Sequence, residues 1–185
     1  MKKLLIGVLV ASTAIAVSAK ASETLTAEPS PDSYNYVSSY RVGIDAPAAD
    51  VWPHLIDLGS WMYDFDMAPE KGDPGAVGQV LRLYPGQDFF VQIVSMTPNQ
   101  NLVVANLPAT FRDEFSTGIA VMDLVETGEK TTLSLTMSRR YTWQGEKGEN
   151  PLRAMRSSEQ FQQGSKATWT RFLDRLKSLA EAAGN

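Results

Sequence analysis

The segment from Asn150 to Ala183 limits the fold more than any other part of the chain. Leu152, Met155, Phe161, Ser165, Trp169, Phe172, Leu176 and Leu179 recur there at spacings of three and four, with one wider gap. That period places them along one side of an α-helix. Asn150 suits the N-cap and Pro151 the first helical position, while Gly164 marks a kink or a close contact. A helix with a single apolar stripe is not stable alone in water and needs a matching surface. The preceding chain must supply it.

The pattern before the helix is that of strands. Tyr34, Tyr36, Tyr40, Val42 and Ile44 alternate onto one face. Pro47 then suits a first helical turn, with Val51, Trp52, Leu55, Ile56 and Leu58 as the apolar side of a short helix. Asp57-Leu-Gly-Ser-Trp61 reads as a break and a second short helix or turn with Trp61 turned inward. Residues 62–77 read as a loop. Strands are expected over 78–84, 89–96, 102–107, 114–126 and 131–143, separated by short turns such as Pro85-Gly86-Gln87-Asp88 and Thr127-Gly128-Glu129-Lys130. Short turns make these strands antiparallel neighbours. The result is an α+β domain with a helix lying across one face of an antiparallel sheet.

The 185 residues suit one domain with a real core. The net charge of −4 argues against a nucleic-acid partner, which calls for a basic patch. The chain has no cysteine and one histidine, which excludes disulfides, thiolate zinc sites and a polyhistidine metal site. Met1-Lys2-Lys3, the apolar run Leu4 to Val17 and Ala19-Lys20-Ala21 form the three parts of a signal peptide, with cleavage expected before Ser22. The apolar run is short for a membrane span, although a retained anchor is the alternative. Removal of Lys2, Lys3 and Lys20 takes the net charge from −4 to −7. The expectation is a periplasmic or secreted protein with no integral membrane segment after cleavage. It comprises residues 1–21 as signal, 22–33 as flexible leader and 34–185 as the folded domain.

Four stretches carry a family resemblance: Ile44-Asp-Ala-Pro-Ala-Ala-Asp-Val-Trp52, Asp57-Leu-Gly-Ser-Trp61, Gly75-Ala-Val-Gly78 and Trp169-Thr-Arg-Phe-Leu-Asp-Arg-Leu-Lys-Ser-Leu-Ala-Glu181. Their order and spacing resemble the START-like, polyketide-cyclase and birch-pollen-allergen superfamily (SRPBCC) over nearly all of residues 34–185. The resemblance implies a helix-grip fold: a curved antiparallel sheet of about six or seven strands wrapped on a long C-terminal helix, with two short helices after the first strand. It also implies a deep apolar cavity for lipids, sterols, polyketides or plant metabolites. No catalytic motif transfers, and no cofactor or metal is implied.

On the last strand Leu133, Leu135, Met137, Arg139, Tyr141 and Trp143 share the face expected to meet the helix. Arg139 is then a cation on an apolar face. It needs a carboxylate, water or an anionic ligand head group there, unless the strand outruns the helix and leaves it in solvent. Trp61, Phe90, Phe115, Met122, Met137, Tyr141, Phe161 and Trp169 are candidate pocket-lining residues, with plain core packing as the alternative for each. Gly118 and Ala120 would leave space beside Met122. His54, four residues after Asp50, is a weak candidate for a base. Asp64, Asp66, Glu70 and Asp73 could hold calcium, but they lack the glycine and terminal glutamate of a calcium loop, and solvated loop charge is the favoured reading. Arg139, Arg140, Lys147, Arg153 and Arg156 would form a basic rim or a mixed-charge surface. The expected protein is a monomer or weak dimer that holds an apolar or amphipathic small molecule, with Arg139 or Tyr141 orienting a polar end. A cyclase- or aromatase-type enzyme using the same cavity and an envelope interaction domain without a ligand are the competing readings.

Overall fold

The computed structural model describes residues 33–84, 88–112, 114–145 and 150–183. The expected signal peptide, nearly all of the expected leader, Lys147 and most of the turn at 85–88 lie outside the described residues. The described residues begin with β1 (Ser33–Ile44), followed by α1 (Ala48–Ile56) and α2 (Leu58–Trp61). A 3-10 turn at Tyr63–Phe65 leads into β2 (Ala68–Lys71) and β3 (Val80–Leu83). Then come β4 (Phe89–Thr97), β5 (Asn101–Phe111), β6 (Glu114–Thr127) and β7 (Lys130–Trp143). Two helices finish the chain: α3 (Pro151–Ser157) and α4 (Glu159–Ala183).

The strands form one seven-stranded sheet in the order β1-β7-β6-β5-β4-β3-β2, antiparallel at every pairing. The first strand therefore crosses over to pair with the last, while α1 and α2 fill the crossover. Along β6 and β7 the register runs without a slip from Glu114↔Trp143 to Thr127↔Lys130. Every second residue thus stays on one face. The inner face is Ser116, Gly118, Ala120, Met122 and Leu124 on β6, opposite Tyr141, Arg139, Met137, Leu135 and Leu133 on β7. On β1 the same face carries Tyr34, Tyr36, Tyr40, Val42 and Ile44, as the alternation predicts.

The sequence-based outline needs four corrections. The loop expected over 62–77 contains the edge strand β2, whose Pro69 sits at a register shift against β3; proline is tolerated at such edges because no ladder hydrogen bond is asked of it. Strand β5 runs on past Pro108, which falls within the shift between Asn106 and Ala109. The final helix breaks at Ser158, not at Gly164. Ser158 is extended (φ −68°, ψ 143°), its hydroxyl donates to the Met155 carbonyl, and the same oxygen accepts from the Phe161 amide. Serine thus ends one helix and caps the next. A Cβ at Gly164 would meet nothing within 4 Å, so no close approach requires glycine there. The apolar stripe is also less uniform than its spacing suggests: Leu152, Phe172 and Leu176 are buried, whereas Met155 is 45% exposed.

The core lies between the inner sheet face, α1, α2 and the second half of α4. Val51, Leu55, Leu58 and Trp61 are at most 1% exposed and meet Phe172, Leu173, Leu176 and Ala180 of α4 in one cluster. Trp61 Nε1 donates to the Leu55 carbonyl at 3.3 Å, so its polar atom is satisfied inside that cluster. Among the described residues no helix is long and apolar enough to cross a membrane.

Candidate functional site

The inner sheet face and α4 do not close completely. Trp61, Met62, Phe65, Met67, Val91, Val104, Met122, Leu135, Met137, Arg139 and Trp169, with Asn106, surround an apolar cavity of about 40 Å³. Beyond it, toward the first half of the helical segment, lies a more polar recess of about 110 Å³. Phe89, Asn106, Glu114, Ser116, Arg139, Tyr141 and Arg156 line it. Asn106 and Arg139 border both spaces.

Of the nine residues singled out from sequence, Trp61, Met122, Met137, Arg139 and Trp169 meet around the apolar cavity, and Tyr141 lines the neighbouring recess. Three lie elsewhere. Phe115 pairs with Thr142 and Thr110 and falls on the outer face, an odd number of residues from Met122. Phe90 also points outward, where the Arg82 guanidinium sits 5.1 Å above its ring; its neighbour Phe89 takes the inner place. Phe161 is half-buried near the start of α4, away from the cavity wall. Phe65 takes the position an aromatic plug requires. Its ring lies 5.1 Å from Phe172, 6.2 Å from Trp169 and 5.6 Å from Tyr84, edge-on to each. The backbone bond from the Tyr84 amide to the Phe65 carbonyl at 2.9 Å fixes the 3-10 turn that carries it.

Arg139 faces inward and is half-buried, which rules out the solvent-facing alternative. Among the described residues it makes no ion pair or side-chain hydrogen bond. The acidic loop offers it no carboxylate at bonding distance, because Asp64 pairs with Arg171 and Glu70 with Arg82. His54 lies on α1, outside the cavity wall.

The other cation lining the recess, Arg156, is fully engaged. Glu114, 2% exposed, begins β6 on the inner face and forms an ion pair with Arg156 of α3. Tyr34 donates to the Glu114 carboxylate at 2.9 Å, and the Asn150 side-chain amide donates to it at 3.0 Å. Arg156 also donates to the Tyr34 hydroxyl at 2.6 Å and lies 3.9 Å above the Tyr141 ring, which itself stacks on Tyr34 at 5.2 Å. Asn150 meanwhile caps α3, its Oδ1 accepting from the amides of Leu152 and Arg153. One buried carboxylate thus ties β1, β6 and α3 together. Burial, reinforced by Glu114, pushes the Tyr34 hydroxyl up to about 12 against the opposing pull of Arg156. Burial alone would lower the Arg156 pKa, but its hydrogen bonds to Glu114 and Tyr34 reverse the direction and raise it. Glu114 and Arg156 were not singled out together from sequence. The signal was present: Glu114 shares the parity of Gly118 and Met122 on an unslipped strand.

No protein-family model matches the sequence, and no curated protein is similar to it in sequence. Its structure is nevertheless similar to solved ones. Ara h 8.0201 aligns over 80% of this chain and 99% of its own with a TM-score of 0.57 at 11% identity. Norcoclaurine synthase from Thalictrum flavum, in complex with dopamine and hydroxybenzaldehyde, aligns over 80% and 87% with a TM-score of 0.50 at 16% identity. The Aha1 dimer from Colwellia psychrerythraea aligns over 81% and 99% with a TM-score of 0.51 at 15% identity. At such identities the likeness is one of fold, and that fold is the helix grip that the four sequence stretches implied.

Proposed function

We propose that this chain is an exported small-molecule-binding protein that holds an apolar or amphipathic ligand, of lipid, polyketide-like or isoprenoid character, between its sheet and α4. The observation that carries the reading is the convergence of Trp61, Met122, Met137, Arg139 and Trp169 on one incompletely filled apolar space. Ligand sites of this kind are apolar with a few placed polar groups. A volume of about 40 Å³ holds a water or two and no more. Ligand entry therefore displaces side chains, and the wall suits that. Four of its side chains are Met62, Met67, Met122 and Met137, which are unbranched and adapt to irregular shapes. Burying about 300 Å² of ligand surface would contribute on the order of 7 kcal/mol before association costs.

Holding is favoured over turnover by what surrounds Glu114. Its carboxylate accepts from Tyr34, Asn150 and Arg156 together, so it is tied into a structural clasp and not poised to move a proton. Native mass spectrometry of protein recovered from the periplasm, followed by organic extraction, tests the proposal. A reproducible adduct released by solvent is expected. Bare protein in every preparation, with no uptake of added apolar compounds, would count against it.

A further inference from the structure

We propose that Arg139 is an anion-holding group and that the ligand is a monoanionic amphiphile: one carboxylate-type head on an apolar body. This rests on the small-molecule reading above and adds the chemistry of the head group.

Three observations carry it. Arg139, Gly118 and Asn106 stand side by side on β7, β6 and β5, paired Gly118↔Arg139 and Asn106↔Gly118 on the inner face. The middle position is empty of side chain for a reason. A Cβ on Gly118 would fall 2.7 Å from Arg139 Cγ and 3.1 Å from the Ser138 carbonyl oxygen. Glycine thus lets the arginine stem lie down across β6 in the direction of Asn106. Second, Arg139 and Asn106 border both the apolar cavity and the polar recess. A head group between them would leave its body among the methionines and Trp169. Third, the two arginines lining the recess differ in their partners among the described residues. The Arg156 charge is answered by Glu114, whereas Arg139 has no acidic partner within 4 Å among the described residues. A half-buried guanidinium without a partner is costly, and its planar fork matches a carboxylate through two parallel hydrogen bonds. One uncompensated cation calls for one negative charge. Neighbouring Asn106, whose side chain makes no hydrogen bond to the described residues, offers a further donor.

Calorimetric titration of the full-length mature protein with decanoate and decanol, which share an apolar body, tests this at neutral pH below micelle-forming concentrations. Wild type is expected to bind decanoate more tightly than decanol by about tenfold or more. Arg139→Met is expected to lose that preference, the ratio of the two affinities falling by about tenfold or more. Decanol binding with no preference for decanoate in wild type would overturn the anion site and leave the carrier reading standing. Binding of neither compound would overturn both. A preference that survives in Arg139→Met would place the anion elsewhere and overturn the assignment. If Arg139→Met binds neither ligand, Arg139→Gln keeps a polar stem and gives the same comparison, read by the same ratio.

Discussion

Around the second half of α4, Phe172, Leu173, Leu176 and Ala180 are each at most 3% exposed and meet Val51, Leu55, Leu58 and Trp61 without a polar atom left over. Around its first half no residue of α4 is fully buried: Trp169 meets Tyr40 of β1 with ring centroids 6.1 Å apart, and the separate helix α3 adds a polar contact with the sheet through Arg156, Glu114, Tyr34 and Asn150. One end is closed by shape and the other by charge. Apolar packing is non-directional and tolerates no gap, so the closed end fixes the helix on the sheet. A polar clasp is directional and depends on a few atoms, so it can hold α3 over the sheet while space remains beside it. The difference teaches that a helix grip can be stable at one end and receptive at the other without any change of fold.

The largest break in this comparison comes from the clasp. Arg156→Met leaves a carboxylate buried without its cation and is expected to cost about 4 kcal/mol, measured by urea denaturation. The double change Arg156→Met with Glu114→Leu should recover most of that loss, because two apolar groups leave nothing unpaired. At the closed end Leu176→Ala is expected to cost about 3 kcal/mol through lost burial and a cavity, with ligand affinity unchanged, since Leu176 lies outside the cavity wall.

A smaller effect is tied to pH. The Tyr34 hydroxyl is raised from 10.0 to about 12, so the folded state binds its proton more tightly than the unfolded chain. The associated stability is fully present below pH 10.0 and is lost as the pH rises toward about 12. Tyr34→Phe should flatten the stability profile in that window while wild type declines. The smallest effect belongs to the surface pair Lys130–Asp45 near the closed end, whose side chains are 73% and 65% exposed. The lysine lowers the Asp45 pKa through a hydrogen bond and its charge, yet exposed pairs are screened. Asp45→Asn should leave the denaturation midpoint unchanged at moderate salt.

Much of this asymmetry was legible in the residues. The period of two on β7 put Arg139 on the inner face with Met137 and Tyr141, and that is where it lies. Asn150 and Pro151 marked the start of α3. Strict alternation also separates Phe115 from Met122, so the outward position of Phe115 follows once β6 is known to run without a bulge. What periodicity could not supply was register between distant strands. Phe89 and Phe90 are adjacent aromatics, and only the pairing Arg82↔Phe90 decides which one turns inward. The same holds for Glu114, whose importance depends on Tyr34 and Arg156, 80 residues before and 42 residues after it. The break at Ser158 falls in the one wider gap of the apolar stripe, between Met155 and Phe161, but three- and four-residue spacing on both sides of it reads as one helix.

The central claim is that the space between sheet and helix is a ligand site at one end only. Methyl NMR of the methionines reads it directly, because Met62, Met67, Met122 and Met137 line the cavity whereas Met155 is exposed on α3. On titration with decanoate, the account predicts saturable shifts of those four methyls with Met155 unmoved. Cavity methyls that stay still at saturating ligand, or shifts confined to Met155, would contradict it.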